Sequence, residues 1–449
     1  MFTIKNIERI KTILLVSSLI FLTNPLVSQS LPMTMDDCMA YAVEHSISVG
    51  KKINALDDAQ QEYNSSIASL FPSLSASVGA NMNFGRSIDP ETNNYTNTST
   101  FSNSYGISGS IPLFAGLQGV NTVRTAKVAR ERGVQELQIS RDEMAIQTMQ
   151  AYIDVLYYIG TTEIAAQQLE DSRLMLKEAR KFYEVGRMST ADIAEVASQE
   201  ANYDYLLTEQ ENNLALAKIR LREIMNFPQD QELELVEELD IEFITMLTPM
   251  EEVVNHALNN NVKVVSAELN TSYSKLNYSR TKGYYYPSLY LYGGYNTSYF
   301  VNMENQAAYP SFLNQFNNNM GSYIQLSLSI PIFSGLDRRF AARTARNAWR
   351  NAELDEIEVR NAVESEVTQS YHRMKGYAKQ YVVGQKKLEA AQLAYDGIAA
   401  KFEKGLVTAI DLQTASTILL QAKSDCLRSK LQYIIEYKMV EYYNGKKMF

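Results

Sequence analysis

Histidine, cysteine and tryptophan are nearly missing from this chain, with 3, 2 and 1 in 449 residues. His45, His256 and His372 lie far apart, and Cys38 and Cys426 are separated by almost the whole chain. Neither pattern has the spacing of a metal site or a dithiol redox motif, so no metal and no redox cofactor is expected. No catalytic triad and no phosphate-binding glycine loop is present either, which argues against an enzyme. Basic runs are lacking too: 42 Lys and Arg against 51 acidic residues give a net charge of −9, which excludes a nucleic-acid partner on electrostatic grounds. Beyond the first thirty residues no run of eighteen apolar residues occurs. A mature chain of this kind has no membrane-spanning helix, and can enter a bilayer only as β-strands. Proline is confined as well: none lies between Pro112 and Pro228, and none follows Pro331. Proline breaks helix interiors, so two very long helical stretches are allowed there.

The N-terminus carries a basic region (Lys5, Arg9, Lys11), an apolar stretch from Thr12 to Leu22, and small residues at Ser28 and Ser30. This order reads as a secretory signal peptide over residues 1–30, with an uncleaved anchor as the alternative. Its removal takes three positive charges and Glu8, leaving the mature chain at −11. No small-residue lipobox precedes Cys38, so lipid attachment there is not expected. In an oxidising compartment a Cys38–Cys426 disulfide is open.

The rest of the chain is one sequence written twice. Ser110-Ile111-Pro112-Leu113-Phe114-Ala115-Gly116-Leu117 returns as Ser329-Ile330-Pro331-Ile332-Phe333-Ser334-Gly335-Leu336, an offset of 219. The same offset relates Arg124-Thr125-Ala126-Lys127 to Arg343-Thr344-Ala345-Arg346, Gly186 to Gly405, Ser189 to Thr408 and Asp192 to Asp411. Upstream, Pro72-Ser73-Leu74 matches Pro287-Ser288-Leu289 at an offset of 215, and the change falls in a polar segment where a surface loop tolerates it. The repeats cover residues 31–248 and 249–449, each ordered helix–strand–strand–long helix–helix. Helical lead-ins are predicted over Met35–Leu70 and Met250–Lys282. An acidic linker joins the halves, in which Glu232-Leu233-Glu234-Leu235 suggests a short strand.

Strands are predicted over about residues 73–84, 103–112, 288–298 and 322–331. Leu74, Ala76, Val78, Ala80, Met82 and Phe84 alternate with Ser, Gly and Asn, as do Ile324, Leu326, Leu328 and Ile330 with Tyr, Gln and Ser. Leu289–Tyr295 is apolar on both faces and gives a weaker signal. Such strands fit a membrane barrel with a wet interior, or a half-exposed soluble sheet. Phe71, Phe114, Tyr284, Tyr285, Tyr286 and Phe333 beside the repeated prolines favour the barrel, because aromatic girdles sit at membrane interfaces. Four strands cannot close a barrel in lipid, where an open edge leaves backbone groups unpaired, so several copies must share one. Two copies give an interior filled by side chains; three leave room for a passage.

A helix from Leu117 to Val185 would be ~100 Å long. Gly186 is suited to end it in the left-handed conformation. Ser189, with Asp192 three residues on, has the capping-box spacing that starts the next helix, and Gly405, Thr408 and Asp411 repeat the arrangement. Each half therefore carries a helical hairpin, with tips at 186–189 and 405–408. The lead-in and the returning helix (about Ser189–Asn226) would stack end to end beside the long one, in a wall of helices or in an ordinary antiparallel coiled coil without a lumen.

The two tips and the duplicated Pro-Ser-Leu … Ile-Pro-x-Phe-x-Gly order resemble the TolC family of outer-membrane efflux proteins over about residues 33–445. The resemblance implies a membrane β-barrel plus a long α-helical barrel: a homotrimer, four strands per chain, seated in outer-membrane lipid with its helices in the periplasm. It implies a periplasmic adaptor protein and an inner-membrane pump of RND or ABC type as partners, and no cofactor. Acidic side chains after the second tip ring the pore entrance in that family. Asp411 fits the first such position, while the position three residues on is Thr414. Asp192 and Glu195 occupy the matching places in the first repeat, and Val407 stands where some members carry a basic residue. The tip residues Gly186, Arg187, Ser189, Gly405 and Thr408 are candidates for adaptor contact, with Arg187 also readable as a plain solvated arginine. Both aspartates are also readable as helix caps alone. Pro72, Pro112, Gly116, Pro287, Pro331 and Gly335 mark the junction of barrel and helices. The expected function is a passive exit duct for small molecules or ions; type I protein secretion and a pore-less periplasmic scaffold are the alternatives.

Overall fold

The structure is a computed structural model and describes residues 32–88, 93–228, 230–236 and 248–448. The predicted signal peptide, residues 1–30, lies outside the described residues. Each repeat opens with two helices where the sequence suggests one. In the first, α1 spans Met35–His45 and α2 Ile47–Ala68; in the second, α5 spans Met250–Asn260 and α6 Val262–Lys282. The breaks fall at Ser46 and Asn261, which are themselves related by the offset of 215. Each side chain accepts the backbone N–H of a first-turn residue, Val49 at 3.3 Å and Lys263 at 2.9 Å, so each starts a new helix.

The strands are β1 Ser73–Ile88, β2 Tyr95–Ala115, β3 Ser288–Asn302 and β4 Gly321–Ser329. They form one antiparallel sheet in the order β1-β2-β3-β4. Ser73 pairs with Ser110 and Ser288 with Ser329, so both hairpins keep one register under the repeat offsets. The first three strands outrun the predicted ranges. Alternation is imposed only where one face is apolar, and β2 continues into the Ser/Thr/Asn-rich residues at its start without it. β4 ends at Ser329, before Pro331, which has no N–H to give a ladder. Pro112 lies inside β2, where the register to β3 shifts between Pro112 and Phe114. Where β4 would begin by repetition, α7 (Phe312–Asn318) stands instead. Its Gln315 replaces strand pairing: the amide oxygen accepts Phe300 N–H at 2.9 Å and the nitrogen donates to Phe300 C=O at 2.8 Å.

One face of the sheet is apolar and open: Leu74, Val78, Phe84 and Ile324 are each at least 75% exposed. The other face is lined by Ser73, Ser75, Ser108 and Ser110, joined across the strands by hydroxyl contacts of 3.0 and 3.3 Å. The doubly apolar look of Leu289–Tyr295 arises because Tyr290 and Tyr292 stack on this second face, 6.1 Å apart.

Strand and helix join at Gly116-Leu117 and Gly335-Leu336, four consecutive-pair positions all at positive φ between 60° and 70°. Gly is at home there, whereas leucine is not. The long helices α3 (Gln118–Glu184) and α8 (Asp337–Glu403) follow, each of 67 residues and so ~100 Å long. They return as α4 (Thr190–Met225) and α9 (Ala409–Tyr443). Along α3, α2 and α4 run end to end, meeting at the break between α1 and α2, where Asn226 Nδ2 donates to the C=O of His45, the last residue of α1, at 3.4 Å. The main core gathers at this level, from α1, the middle of α3, and the ends of α4 and α9, around Met39, Met149, Tyr152, Leu221 and Ile434. The linker forms a single parallel bridge, Met33 with Leu235, rather than a strand, and Tyr152 Oη donates to Val236 C=O at 2.5 Å beside it. Cys38 and Cys426 are both buried and unpaired, so no disulfide joins them; burial pushes the Cys38 thiol up to about 12, leaving it an inert apolar group.

Candidate functional site at the hairpin tips

At the first tip Gly186 takes φ +74, its N–H donates to Tyr183 C=O at 2.8 Å, and Arg187 N–H donates to Phe182 C=O at 2.8 Å. Gly405 at φ +69 repeats this with Phe402 and Lys401. Such paired bonds close a helix only if the residue after it is left-handed, hence the glycine. The capping boxes are complete. Asp192 N–H donates to Ser189 Oγ at 3.2 Å, and Asp192 Oδ2 accepts from Ser189 N–H at 3.0 Å and Oγ at 2.7 Å. Thr408 and Asp411 form the same three bonds at 2.9, 2.7 and 3.2 Å. Hydrogen bonds to the ionised form, first from the cap hydroxyl and then from its N–H, hold both carboxyls below the ordinary value of 3.8. Both aspartates are exposed, with Oδ1 free of partners among the described residues, so each carries a full negative charge at the tip surface.

Arg187 is exposed but not simply solvated. Its guanidinium lies over the Phe182 ring at 5.3 Å and donates to Lys404 C=O at 3.3 Å, which ties the first tip to the end of α8. Glu195 is exposed and borders a cavity of about 30 Å³ between the hairpins, room for about one water.

Above the tips the hairpins are joined by a buried polar seam that sequence reading missed. Ser416 Oγ of α9 accepts from Gln168 Nε2 of α3 and bonds Tyr203 Oη of α4 at 2.7 Å. Gln413 Nε2 donates to Gln199 Oε1 at 2.6 Å. Gln168, Tyr203 and Ser416 are at most 5% exposed. Their only sequence signal is polar side chains on stripes that are otherwise apolar; which helices bring those stripes together cannot be read from spacing. Leu176, Val196, Tyr395 and Leu412 pack around the seam.

Pro72 and Pro287 immediately precede β1 and β3, and Gly116 and Gly335 turn each hairpin into its long helix, at the junction of sheet and helices. Among the described residues no group of three or more His, Cys, Asp or Glu could hold a metal ion, and no described helix is long and apolar enough to cross a membrane.

A sheet with one lipid-compatible face, continued into duplicated ~100 Å helical hairpins with exposed tips, defines an outer-membrane protein with a long helical body. Its sequence matches twice, over residues 42–226 and 253–440, and the chain belongs to the outer membrane efflux protein family. It is 23% identical over 326 residues to the outer membrane protein TolC of Salmonella enteritidis, a match covering 70% of this chain and 63% of that relative, less than two thirds of its length. The fold is that of the channel-forming protein CusC, with a TM-score of 0.78, 14% identity and 92% of both chains covered. It is also that of the outer membrane protein VceC of Vibrio cholerae, with a TM-score of 0.74, 13% identity, and 92% of this chain and 97% of that one covered. The protein accordingly resides in the bacterial outer membrane, its helical part in the periplasm.

Proposed function

We propose that three copies of this chain share one barrel in the outer membrane and one helical tube beneath it. The assembly serves as a passive exit duct for small molecules or ions, coupled through a periplasmic adaptor to an inner-membrane pump of RND or ABC type. The observation that carries this reading is the sheet itself, four strands with an apolar face and two unpaired edges. Each unsatisfied backbone group costs several kcal/mol in hydrocarbon, so β1 and β4 need partners.

The internal repeat supplies the register of that pairing. β2 pairs with β3 within the chain, Ser110 opposite Tyr292 and Tyr105 opposite Thr297. Moving β2 forward by 219 and β3 back by 215 sets Ser329 of one copy opposite Ser77 of the next, and Ile324 opposite Met82. The transposed pairs keep serine with serine on the polar face and Ile with Met on the apolar one. The helices support the same ring. Gly116 abuts Gly283 at the end of α6, while Gly335 meets nothing within 4 Å; the transposed counterpart of Gly283 is Ala68 of the next copy.

Around a threefold axis the tips converge, and Asp192, Glu195 and Asp411 make an acidic rim that favours cations and repels anionic cargo. The exposed turns at Gly186, Arg187, Ser189, Gly405 and Thr408 face the periplasm as the adaptor-contact surface.

The test is a cysteine pair. In a Cys38→Ala, Cys426→Ala background, Ser77→Cys with Ser329→Cys should give covalent dimers and trimers on mild oxidation, because opposed strand residues lie within disulfide reach. Ser77→Cys with Ser327→Cys, two residues out of register, should not. A monomer in both cases sinks the shared barrel. In planar bilayers Asp411→Asn should weaken cation preference; unchanged selectivity removes the acidic rim.

A further inference from the structure

Charge is not spread evenly along the helical body. Consider the ten residues of α2, α3, α6 and α8 nearest the sheet, a layer ~15 Å deep. On α8 they include Arg338, Arg339, Arg343 and Arg346; α3 adds Arg124 and Lys127, and α6 adds Lys275, Arg280 and Lys282. Only Glu62 and Asp337 oppose these nine, in a chain whose net charge is −9. Arg124, Arg339, Arg343 and Arg346 are exposed and have no ion pair or side-chain hydrogen bond with any described residue. Arg338 and Arg339 stand in the first turn of α8, where the helix dipole disfavours positive charge. Helix stability therefore does not account for them.

Their position narrows the partner. Arg339, Arg343, Arg346 and Arg350 form one stripe by helical spacing. Arg132 of α3, which bonds Asn270 of α6 at 2.8 Å, corresponds by the repeat to Asn351, one residue past Arg350. Under the proposed ring the neighbouring copy's α2 therefore meets α8 about 100° away from the arginines. The matching bases on α3, Arg124 and Lys127, share a side with Ala145, eighteen residues or five turns beyond Lys127. Ala145 lies in one core with Cys38 and Met39 of α1, an extra layer that the proposed tube can carry only on its outer side without filling its passage, so this side faces outward. Directly above the stripe stand the exposed aromatics at the strand bases: Phe114, Phe333 and Tyr284–Tyr286, between 42% and 78% exposed. The basic layer thus begins where the aromatic interface ends.

We infer that this collar binds the phosphates of anionic glycerophospholipids in the periplasmic leaflet of the outer membrane. The inference rests on the membrane placement of the sheet. Guanidinium groups match phosphate oxygens bidentately, and each basic side chain near an anionic surface contributes about a fivefold gain in affinity. The collar fixes how deep the barrel sits, which the apolar band alone leaves free to slide.

The experiment uses the full-length protein in detergent, titrated with phosphatidylglycerol or phosphatidylcholine and read by native mass spectrometry. The protein should retain phosphatidylglycerol preferentially. Arg339→Gln/Arg343→Gln/Arg346→Gln should lower that preference by roughly a hundredfold. The corresponding lysine triple should keep it, and Lys177→Gln/Arg180→Gln/Lys181→Gln near the tip should leave it unchanged. Equal retention of the two lipids, equal loss in the tip variant, or displacement by inorganic phosphate overturns the collar. An outer-membrane trimer without lipid preference defeats the collar alone; absence of that trimer defeats the duct.

Discussion

The two repeats share hairpin registers, tip chemistry and helix breaks, yet their surroundings differ. β2 is paired on both sides and β4 on one. Gly116 is pressed against Gly283, while Gly335 faces open space in its own chain. In the second repeat Arg373 bonds Glu436 at 2.5 Å across α8 and α9; the matching positions in the first are Asp154 and Ala217, with Arg220 one turn further on acting on Asp154 by charge and no ion pair at Asp154 among the described residues. Where the halves agree, the constraint is local to a turn or a cap. Where they differ, the neighbour differs, and the open positions of the second repeat are those a next copy covers under the proposed ring.

The sharpest way to break this comparison is to add a methyl group at the paired junction glycines. A Cβ at Gly116 collides with the Gly283 carbonyl and comes within 3.0 Å of Tyr286 Cβ, at a φ that alanine also resists. Gly116→Ala should cost about 4 kcal/mol or more, seen as a large drop in the melting temperature. In the unassembled chain Gly335→Ala carries only the conformational cost of about 1–2 kcal/mol, seen as a lowered melting temperature, whereas in the proposed ring its Cβ also meets the next copy. Equal effects on thermal unfolding would show that surroundings do not distinguish the repeats.

A smaller contrast lies in the helix pairs. Glu436 is buried and Arg373 about half exposed, so Glu436→Gln should cost about 2 kcal/mol in denaturant unfolding, below the value for a fully buried pair. Asp154→Asn, at the first-repeat position without an ion pair, should change stability by less than about 0.5 kcal/mol.

The smallest effects should be the same in both halves. Ser189→Ala and Thr408→Ala each remove a cap worth about 1 kcal/mol and should speed amide exchange in the first turns of α4 and α9 alike. Because the folded-state acidities of Asp192 and Asp411 lie below 3.8, their contribution is present above that pH and lost as pH falls through the lowered folded values. Tip protection should therefore fall together at both hairpins on acidification.

Much of this architecture was legible from local chemistry. Gly186 with Ser189 and Asp192, and Gly405 with Thr408 and Asp411, carry their own instructions, because a left-handed stop and a capping box use residues within one turn. Ser46 and Asn261 carried the same kind of signal at the lead-in breaks, but continuous helical patterning on either side hid them. The extra length of β2 was hidden for the opposite reason, since strand pairing beyond the apolar zone leaves no alternation to see. Arg187, read as an adaptor contact or a solvated side chain, is tied to Lys404 across 217 residues of chain. No local pattern encodes that distance.

The duplication, the long helices, the membrane strands and the tip turns follow from sequence alone, because each depends on neighbours a few residues away or on a repeat visible in the text. Tertiary structure decided the rest: that Ser416 joins Gln168 and Tyr203, that Cys38 and Cys426 stay apart, and that Gly116 is enclosed while Gly335 is open. Those outcomes depend on how ~100 Å helices lie against one another, and a rotation of one stripe by a single residue would exchange every partner.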